Sequence, residues 1–307
     1  MAFIEFLLLM LFVKEGTVTG ERMLELGSWL SPGGNRSSWV SSSGHFAFGF
    51  YPQAHGYAVG IWLIGAENTT VWTADRDSPL LFLQFHLTLK TTGLHIFQRG
   101  SEDQVLVSNS TSKHVVVWQS FDYPPDTILG GHNFTKGVKL VSSLSQSDHS
   151  TGLFYLVMQR DGNLVAYPVN SPASIADAYW SSKTLSRFGM LSLNVSGFLC
   201  LNISAGKIQC LNNNISHGKK SHNTSSIYRA TLGVDGNFVL YEHQFEGNGS
   251  SHVQPMWSTS LDKCEVKGVC GLNSYCSNVK GNTKCKCFPG FIPSKSRVKG
   301  NVFPLLE

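Results

Sequence analysis

A recurring ten-residue stretch constrains this chain more than anything else in it. Residues 158–167 read MQRDGNLVAY, with arms that alternate apolar and polar on either side of Asp161-Gly162-Asn163. Such arms around an Asp-Gly or Gly-Asn step make a β-hairpin. Residues 231–241, TLGVDGNFVLY, repeat the pattern with Asp235-Gly236-Asn237 in the same place. Two looser copies keep the turn glycine, LTLKTTGLHIF at 87–97 and LSLNVSGFLCL at 191–201. A second element follows several hairpins, a Trp with Ser or Thr two residues on. It occurs at Trp118/Ser120, Trp180/Ser182 and Trp257/Thr259, with Trp72 in VWT a fourth relative. A hairpin plus a Trp strand makes one small sheet. Such a sheet cannot bury its own apolar face, so the copies must pack against each other. The Trp side chains are expected at the centre of that packing, Trp72 and Trp118 in a first domain, Trp180 and Trp257 in a second.

The rest of the chain reads as strands and turns. Residues 46–50 and 58–64 are short alternating strands, 75–79 a turn, and 119–127 a rigid loop with two prolines. Residues 134–146 read as a bridge to a second set of strands beginning near Gly152, and 212–226 and 246–251 as polar loops. Helical periodicity with caps is absent, and Gly or Pro punctuates every ten residues or so.

The polar surface rests on Ser, Thr, Asn and Gly. Charged residues make up 14% of the chain, against about 25% in an ordinary globular domain. A net charge of +4 is too small to argue for nucleic acid. The basic residues crowd the tail (Lys280, Lys284, Lys286, Lys295, Arg297, Lys299), where a solvated face explains them. Glycosylation sequons fall at Asn35, Asn68, Asn109, Asn133, Asn194, Asn202, Asn214, Asn223 and Asn248. That many, spread over expected loops and turns, favours the secretory pathway. Residues 2–13, apolar but for Glu5, have the length of a signal peptide and are too short to span a bilayer. No later stretch is long enough for a transmembrane helix.

Cysteine usage agrees. Cys200 and Cys210 sit ten apart across an expected hairpin and are expected to pair. Cys264, Cys270, Cys276, Cys285 and Cys287 crowd a short tail, which reads as a disulfide scaffold. Zinc is the rival reading, but no Cys-x2-Cys pair or Cys/His quartet supports it. Neither a metal nor a cofactor is called for.

Four motifs carry a family resemblance: GHFAFGF at 44–50, VGIWLIG at 59–65, VWTADRDSP at 71–79 and VWQSFDYPPDTIL at 117–129. With the cysteine string ending CKCFPGF at 285–291, they resemble the ectodomain of a plant receptor-like serine/threonine kinase of the G-type (bulb-type, mannose-binding) lectin class. The resemblance runs from about Gly27 to Phe291. It implies an all-β chain of tandem bulb-type lectin β-prism domains, each three small antiparallel sheets about a pseudo-threefold axis, followed by a small truncated EGF-like disulfide module. The expected boundaries are 1–26 for a signal peptide and leader, 27–148 and 149–262 for the two lectin domains, and 263–307 for the module. An EGF-like module pairs its first cysteine with the third, the second with the fourth and the fifth with the sixth. That order implies Cys264–Cys276 and Cys270–Cys285 and leaves Cys287 free for a reducible dimer.

The family's sugar-binding pattern is Gln-x-Asp-x-Asn-x-Val-x-Tyr, matched here by Gln159, Asp161, Asn163, Val165 and Tyr167. By that resemblance Asp161 accepts from two sugar hydroxyls, the Gln159 and Asn163 amides donate and accept, the Tyr167 hydroxyl donates, and Val165 meets the apolar face of the ring. A weaker second site keeps Asp235, Asn237, Val239 and Tyr241 but holds Gly233 in place of the Gln. The copies at 87–97 and 191–201 place Leu89, Thr91, Gly93, His95 and Phe97, and Leu193, Val195, Gly197, Leu199 and Leu201, at those positions, so no site is expected there. The structural reading stands beside the functional one. Asp-Gly-Asn is good hairpin chemistry, and Val and Tyr are good strand residues.

The resemblance implies a secreted or extracellular module that binds a carbohydrate or glycoprotein in cell-surface recognition or defence signalling. Homo-oligomers, or pairing with full-length receptor kinases, are the partners it suggests. The alternative is a lectin fold kept for protein–protein recognition without sugar binding. No Gly-rich loop, Val-Ala-Ile-Lys lysine, His-Arg-Asp or Asp-Phe-Gly is present, so the chain as given is no kinase. Asp122 and Asp126 beside Tyr123 could suggest a glycosidase, but a Pro-Pro loop holding acids is better read as turn chemistry.

Overall fold

The computed structural model describes residues 24–77, 81, 83, 85–90, 93–98, 104–108, 125–169, 171–174, 176–204, 206–213, 224–247, 249–260, 262–271, 273–279, 282–292 and 303–304. The leader, Trp118, Asp122 and the sequons at Asn109, Asn214, Asn223 and Asn248 lie outside them. The described residues form antiparallel strands with no α-helix. No described helix is long and apolar enough to cross a membrane. The chain divides into two compact units, Met1–Tyr123 and Pro124–Glu307.

In the first unit the strands are β1 (Trp29–Leu30), β2 (Ser38–Val40), β3 (Phe46–Gln53), β4 (Gly56–Leu63), β5 (Thr69–Thr73), β6 (Phe85–Lys90), β7 (Gly93–Gln98) and β8 (Gln104–Ser108). They build two four-stranded sheets, ordered β2-β3-β4-β5 and β1-β6-β7-β8. Alternation puts Phe46, Phe48 and Phe50 on one face of β3, all buried. The other face carries a smaller buried cluster of Ala47, Tyr51, Ala58 and Trp62. The Tyr51 hydroxyl in that cluster is held by Gln53 and Thr73.

The second unit begins with three short strands, β9 (Thr127–Leu129), β10 (His132–Thr135) and β11 (Lys139–Ser143). Three hairpins and their following strands come next. These are β12 (Thr151–Met158), β13 (Leu164–Pro168) and β14 (Trp180–Ser181); then β15 (Met190–Leu193), β16 (Leu199–Ser204) and β17 (Lys207–Cys210); then β18 (Thr224–Leu232), β19 (Phe238–Glu246) and β20 (Ser251–Ser258). Each opening strand joins a different hairpin. The sheets run β11-β12-β13-β14, β10-β15-β16-β17 and β9-β18-β19-β20. The threefold repeat in the sequence is therefore a threefold repeat of sheets, as a β-prism lectin unit requires.

Three expectations are corrected here. Residues 134–146 are not a bridge but hold the end of β10 and all of β11, and the second unit starts at Pro124, not at residue 149. The reason is that β9, β10 and β11 each deliver one apolar residue, Ile128, Phe134 and Leu140, into the core of this unit. The Trp residues are also not central. Trp180 and Trp257 sit on the outer strands β14 and β20, half-buried, and meet edge to face at 6.2 Å. Trp72 on β5 is half-buried as well. The centre is filled from the inner strands by Phe154, Leu156, Met158, Leu164, Leu191, Leu193, Leu199, Leu201, Leu232, Phe238 and Leu240.

The tail carries a 3-10 turn (Lys263–Glu265), β21 (Ser274–Val279) paired with β22 (Asn282–Cys287), and β23 (Phe291–Ile292) paired with β24 (Phe303–Pro304). Cys264 is bonded to Cys276 and Cys270 to Cys285, while Cys200 and Cys210 close the β16–β17 pair, all as expected. Cys287 is free and half-buried. Val266 is the one buried residue among the described residues from 262 onward, and it belongs to the core of the second unit.

Candidate functional site

Each sheet of the second unit turns its central hairpin the same way. In the first, Gln159 N–H donates to Asn163 O (2.8 Å) and Gly162 N–H to Gln159 O (3.0 Å). Asn194/Phe198 and Gly197/Asn194 repeat these bonds in the second sheet, and Gly233/Asn237 and Gly236/Gly233 in the third. Gly162 has φ +84°, and a Cβ there would lie 2.3 Å from Ser186 O. Only glycine meets both demands, since L side chains avoid that φ and the neighbouring chain fills the space. The other two turn glycines press likewise on the next sheet, Gly197 on the Tyr228 ring and Gly236 on Phe154 and Val266.

The hydroxyl two residues after each Trp now has a physical role. Ser182 Oγ accepts from Leu164 N–H (3.0 Å) and donates to Asn163 Oδ1 (3.1 Å). Thr259 Oγ1 accepts from Phe238 N–H (3.0 Å) and donates to Asn237 Oδ1 (2.7 Å). In the middle sheet Asn212 stands two residues after Cys210 and takes the same place. Its Oδ1 accepts from Leu199 N–H (2.9 Å) and its Nδ2 donates to Gly197 O (2.8 Å). Asn212 went unnoticed in the sequence. In the pairing register Gln209 stands where Trp180 and Trp257 do, so no Trp marks this copy and Asn212 comes one residue later than the two hydroxyls. Replacing Ser182 with Ala leaves the Leu164 N–H without its acceptor and should lower stability by about 1–3 kcal/mol in chemical denaturation.

The β12–β13 turn and the outward face of β13 hold the five motif positions, Gln159, Asp161 and Asn163 in the turn and Val165 and Tyr167 on the strand. Val165 and Tyr167 face away from the core-facing Leu164 and Ala166, and the Tyr167 hydroxyl reaches the Gln159 amide at the start of the turn. The two ends of the motif differ. Val165 and Tyr167 are each only 2% exposed. Tyr167 stacks on Tyr155 at 5.4 Å and its hydroxyl accepts from Gln159 Nε2 (2.9 Å). Val141, Val157, Val169 and Ala178 close over this cluster. Burial and the neighbouring Tyr167 raise the Tyr155 hydroxyl pKa above its ordinary value. The expectation that Tyr167 stands at the surface is therefore corrected. The segment between β13 and β14 supplies Val169 and Ala178, and so covers the ring. The Asp161 end is open. Asp161 is exposed, its Oδ1 accepts from Asn163 N–H (3.0 Å), and its Oδ2 has no hydrogen-bond partner among the described residues.

At the second motif copy the polar atoms are occupied. Asp235 Oδ1 accepts from Asn237 N–H (3.2 Å) and Oδ2 faces Lys263 Nζ at 3.4 Å. Asn237 bonds Thr259 and twice Ser260. Val239 and Tyr241 are half-buried, and the Arg229 guanidinium lies 4.1 Å over the Tyr241 ring. Arg229 also donates to His243 Nε2 (2.7 Å) and Thr231 Oγ1 (2.6 Å). Burial and the guanidinium hold His243 down at about 4.

The middle copy needs a register correction. With the turn glycines superposed, the motif positions at 191–201 fall on Asn194, Ser196, Phe198, Cys200 and Asn202, one residue on from the expected set. A slip of one residue exchanges the faces, which is why Leu193, Leu199 and Leu201 are core. The outer face here carries the Cys200–Cys210 bond and the sequon residues Asn133 and Asn194, both exposed. Asp126 is buried and accepts from the adjacent Thr127 Oγ1 (2.8 Å) and from Ser143 Oγ on β11 (2.5 Å), a contact to another strand where a local turn bond was expected. No His/Cys/Asp/Glu cluster fit for a metal occurs among the described residues.

Residues 194–295 match the S-locus glycoprotein domain family. The chain is 29% identical to the G-type lectin S-receptor-like serine/threonine-protein kinase LECRK3 of Oryza sativa subsp. indica, over 97% of this chain and 42% of that protein. It is 30% identical to LECRK1 of the same subspecies, over 91% of this chain and 40% of that one. A G-type lectin S-receptor-like serine/threonine-protein kinase of Arabidopsis thaliana is 26% identical, over 89% and 36%. The chain spans about two fifths of the length of the curated relatives it matches, and no kinase segment is evident in it.

Proposed function

We propose that this chain, a homologue of the G-type lectin S-receptor-like kinases over most of its length, is an extracellular recognition module for a carbohydrate or glycoprotein. Cell-surface recognition or defence signalling is the setting proposed for it. The open Asp161 turn carries the reading. A carboxylate oxygen with no partner among the described residues stands at the surface, on a turn fixed by Gly162, Ser182 and Ser186. An ionised carboxylate accepts hydrogen bonds only, and vicinal sugar hydroxyls supply donors. Asn163 and Gln159 flank it. Val165 and Tyr167 act from beneath, fixing the Gln159 amide through the Tyr167 hydroxyl rather than touching the ring. The Asp235 copy contributes less, since Lys263, Thr259 and Ser260 take its polar atoms.

The second reading is protein recognition without sugar. The cover over Tyr167 favours it, because that ring offers a ligand almost no surface. Mannose-agarose separates the two. The carbohydrate reading expects retention of the wild type, elution by free mannose and loss of retention in Asp161→Ala. No retention of the wild type favours protein recognition. A single shallow site binds weakly, because its hydrogen bonds replace equally good ones to water, and multivalent display strengthens it. The column supplies that display.

A further inference from the structure

We propose that the ligand of the Asp161 turn is an acidic oligosaccharide, whose uronic-acid carboxylate is read by Arg160 and Arg187. This rests on the carbohydrate reading above and names the substrate class. A groove of roughly 570 Å³ opens beside Asp161, between the β12–β13 turn and the segment leading into β15. Lys136, Arg160 and Arg187 line it, three cations against the one carboxylate of Asp161.

Lys136 organises the groove. Its ammonium donates to Arg160 O (2.8 Å), Ser186 O (3.0 Å) and Arg187 O (2.8 Å). An ammonium has three hydrogens, so Lys136 has none left for a ligand. It fixes a positive charge and ties the backbones of the two arginines to one point. Arg160 and Arg187 are both exposed, and neither guanidinium has a hydrogen bond or ion pair among the described residues. A planar fork of donors suits a carboxylate, which it can grip through two parallel bonds. Beside them Phe188 is 57% and Leu185 77% exposed. An exposed aromatic face at a polar groove suits the C–H face of a pyranose ring. Hydroxyls on the other side of the ring reach the free oxygen of Asp161. A neutral sugar leaves both arginines without a partner; a uronic acid engages the turn, the ring and the cations together.

Calorimetric titration of the full secreted chain, disulfides formed, tests this with three probes: an α-1,4-linked galacturonate hexamer, its methyl ester, and a polyglutamate of matched charge. The acid should bind about tenfold tighter than the ester, the size of effect a charge-assisted bidentate contact gives. That advantage should shrink as salt is raised. Arg160→Gln and Arg187→Gln should each narrow the gap between acid and ester by about fivefold, and Arg187→Lys should restore only part of it. Phe188→Ala should weaken acid and ester alike. Equal binding of acid and ester, polyglutamate binding as tightly as the hexamer, or arginine variants that leave the gap intact would each overturn the proposal. Mannose retention through Asp161 alongside equal binding of acid and ester overturns only the acidic ligand. Failure to bind mannose or either hexamer overturns the carbohydrate reading as well.

Discussion

Tyr228→Ala should lower the stability of the second unit by about 3–5 kcal/mol, the range for deleting a buried aromatic ring. That is a large share of the 5–15 kcal/mol typical of a domain, and the melting midpoint should fall by roughly 10 °C or more. Tyr228 is 2% exposed on β18 and packs on Gly197, the turn of the neighbouring sheet. Its hydroxyl donates to Glu242 Oε1 (2.7 Å). Truncation therefore opens a cavity between two sheets and removes a bond to a buried carboxylate. Tyr228→Phe separates these effects. Burial alone raises the Glu242 pKa, but hydrogen bonds from Tyr228, Gln254 and Gln244 outweigh it and bring it to about 2. A depressed carboxylate pKa stabilises the fold above its unfolded value, here 4.5, and that stability is lost as pH falls towards 2. Tyr228→Phe moves the folded pKa back towards 4.5, so the variant should be less stable at neutral pH and lose less on acidification. Urea unfolding at pH 7 and pH 3 measures both. Equal losses in wild type and variant would contradict the assignment.

Joint replacement of Cys270 and Cys285 by Ser should release the tail while sparing the sheets. The bond closes a 15-residue separation, worth about 3 kcal/mol in the chain-entropy model. The described residues of the tail form no core of their own to offset that loss. Val266, the one buried residue among the described residues of the tail, packs against Gly236 of the same unit, and Lys267 Nζ donates to Ala176 O. Limited trypsin digestion should cut the variant quickly at Lys284 and Lys286 and leave the wild type intact there. Melting of the three sheets should shift little. Wild-type resistance at these lysines in the double variant would show that something other than the disulfide holds β21 and β22. The same samples test the dimer through Cys287: a reducible dimer in wild type should vanish in Cys287→Ser.

The sequence disclosed the repeat because each hairpin carries its own turn chemistry. Asp161-Gly162-Asn163 and Asp235-Gly236-Asn237 are local signals, read without knowing the partners. The cysteine pairs were legible through the order of the resembled module. β9, β10 and β11 were not legible. Each is three to five residues long and sends one apolar side chain to the core, too few for a periodic pattern. The partners of β9 and β10 lie far along the chain, Thr127 opposite Thr231 and His132 opposite Leu193. The register of 191–201 slipped because both arms alternate, and alternation alone does not say which residue begins the turn. The Trp residues misled because the outermost strand of each sheet can bury only one side of a large ring. At the site, the motif was legible and its cover was not. Val169 and Ala178 reach Tyr167 through a segment with no strand pattern of its own.

The central claim is that one of three equivalent turns is open to ligand. Amide shifts of the deuterated, nitrogen-15-labelled chain, followed during titration with mannotriose and then with the galacturonate hexamer, test it most directly. The account expects shifts at residues 159–163 with both sugars, extending to 185–188 with the hexamer, and still amides at 194–198 and 233–237. Shifts centred on 233–237, or none with either sugar, would contradict it.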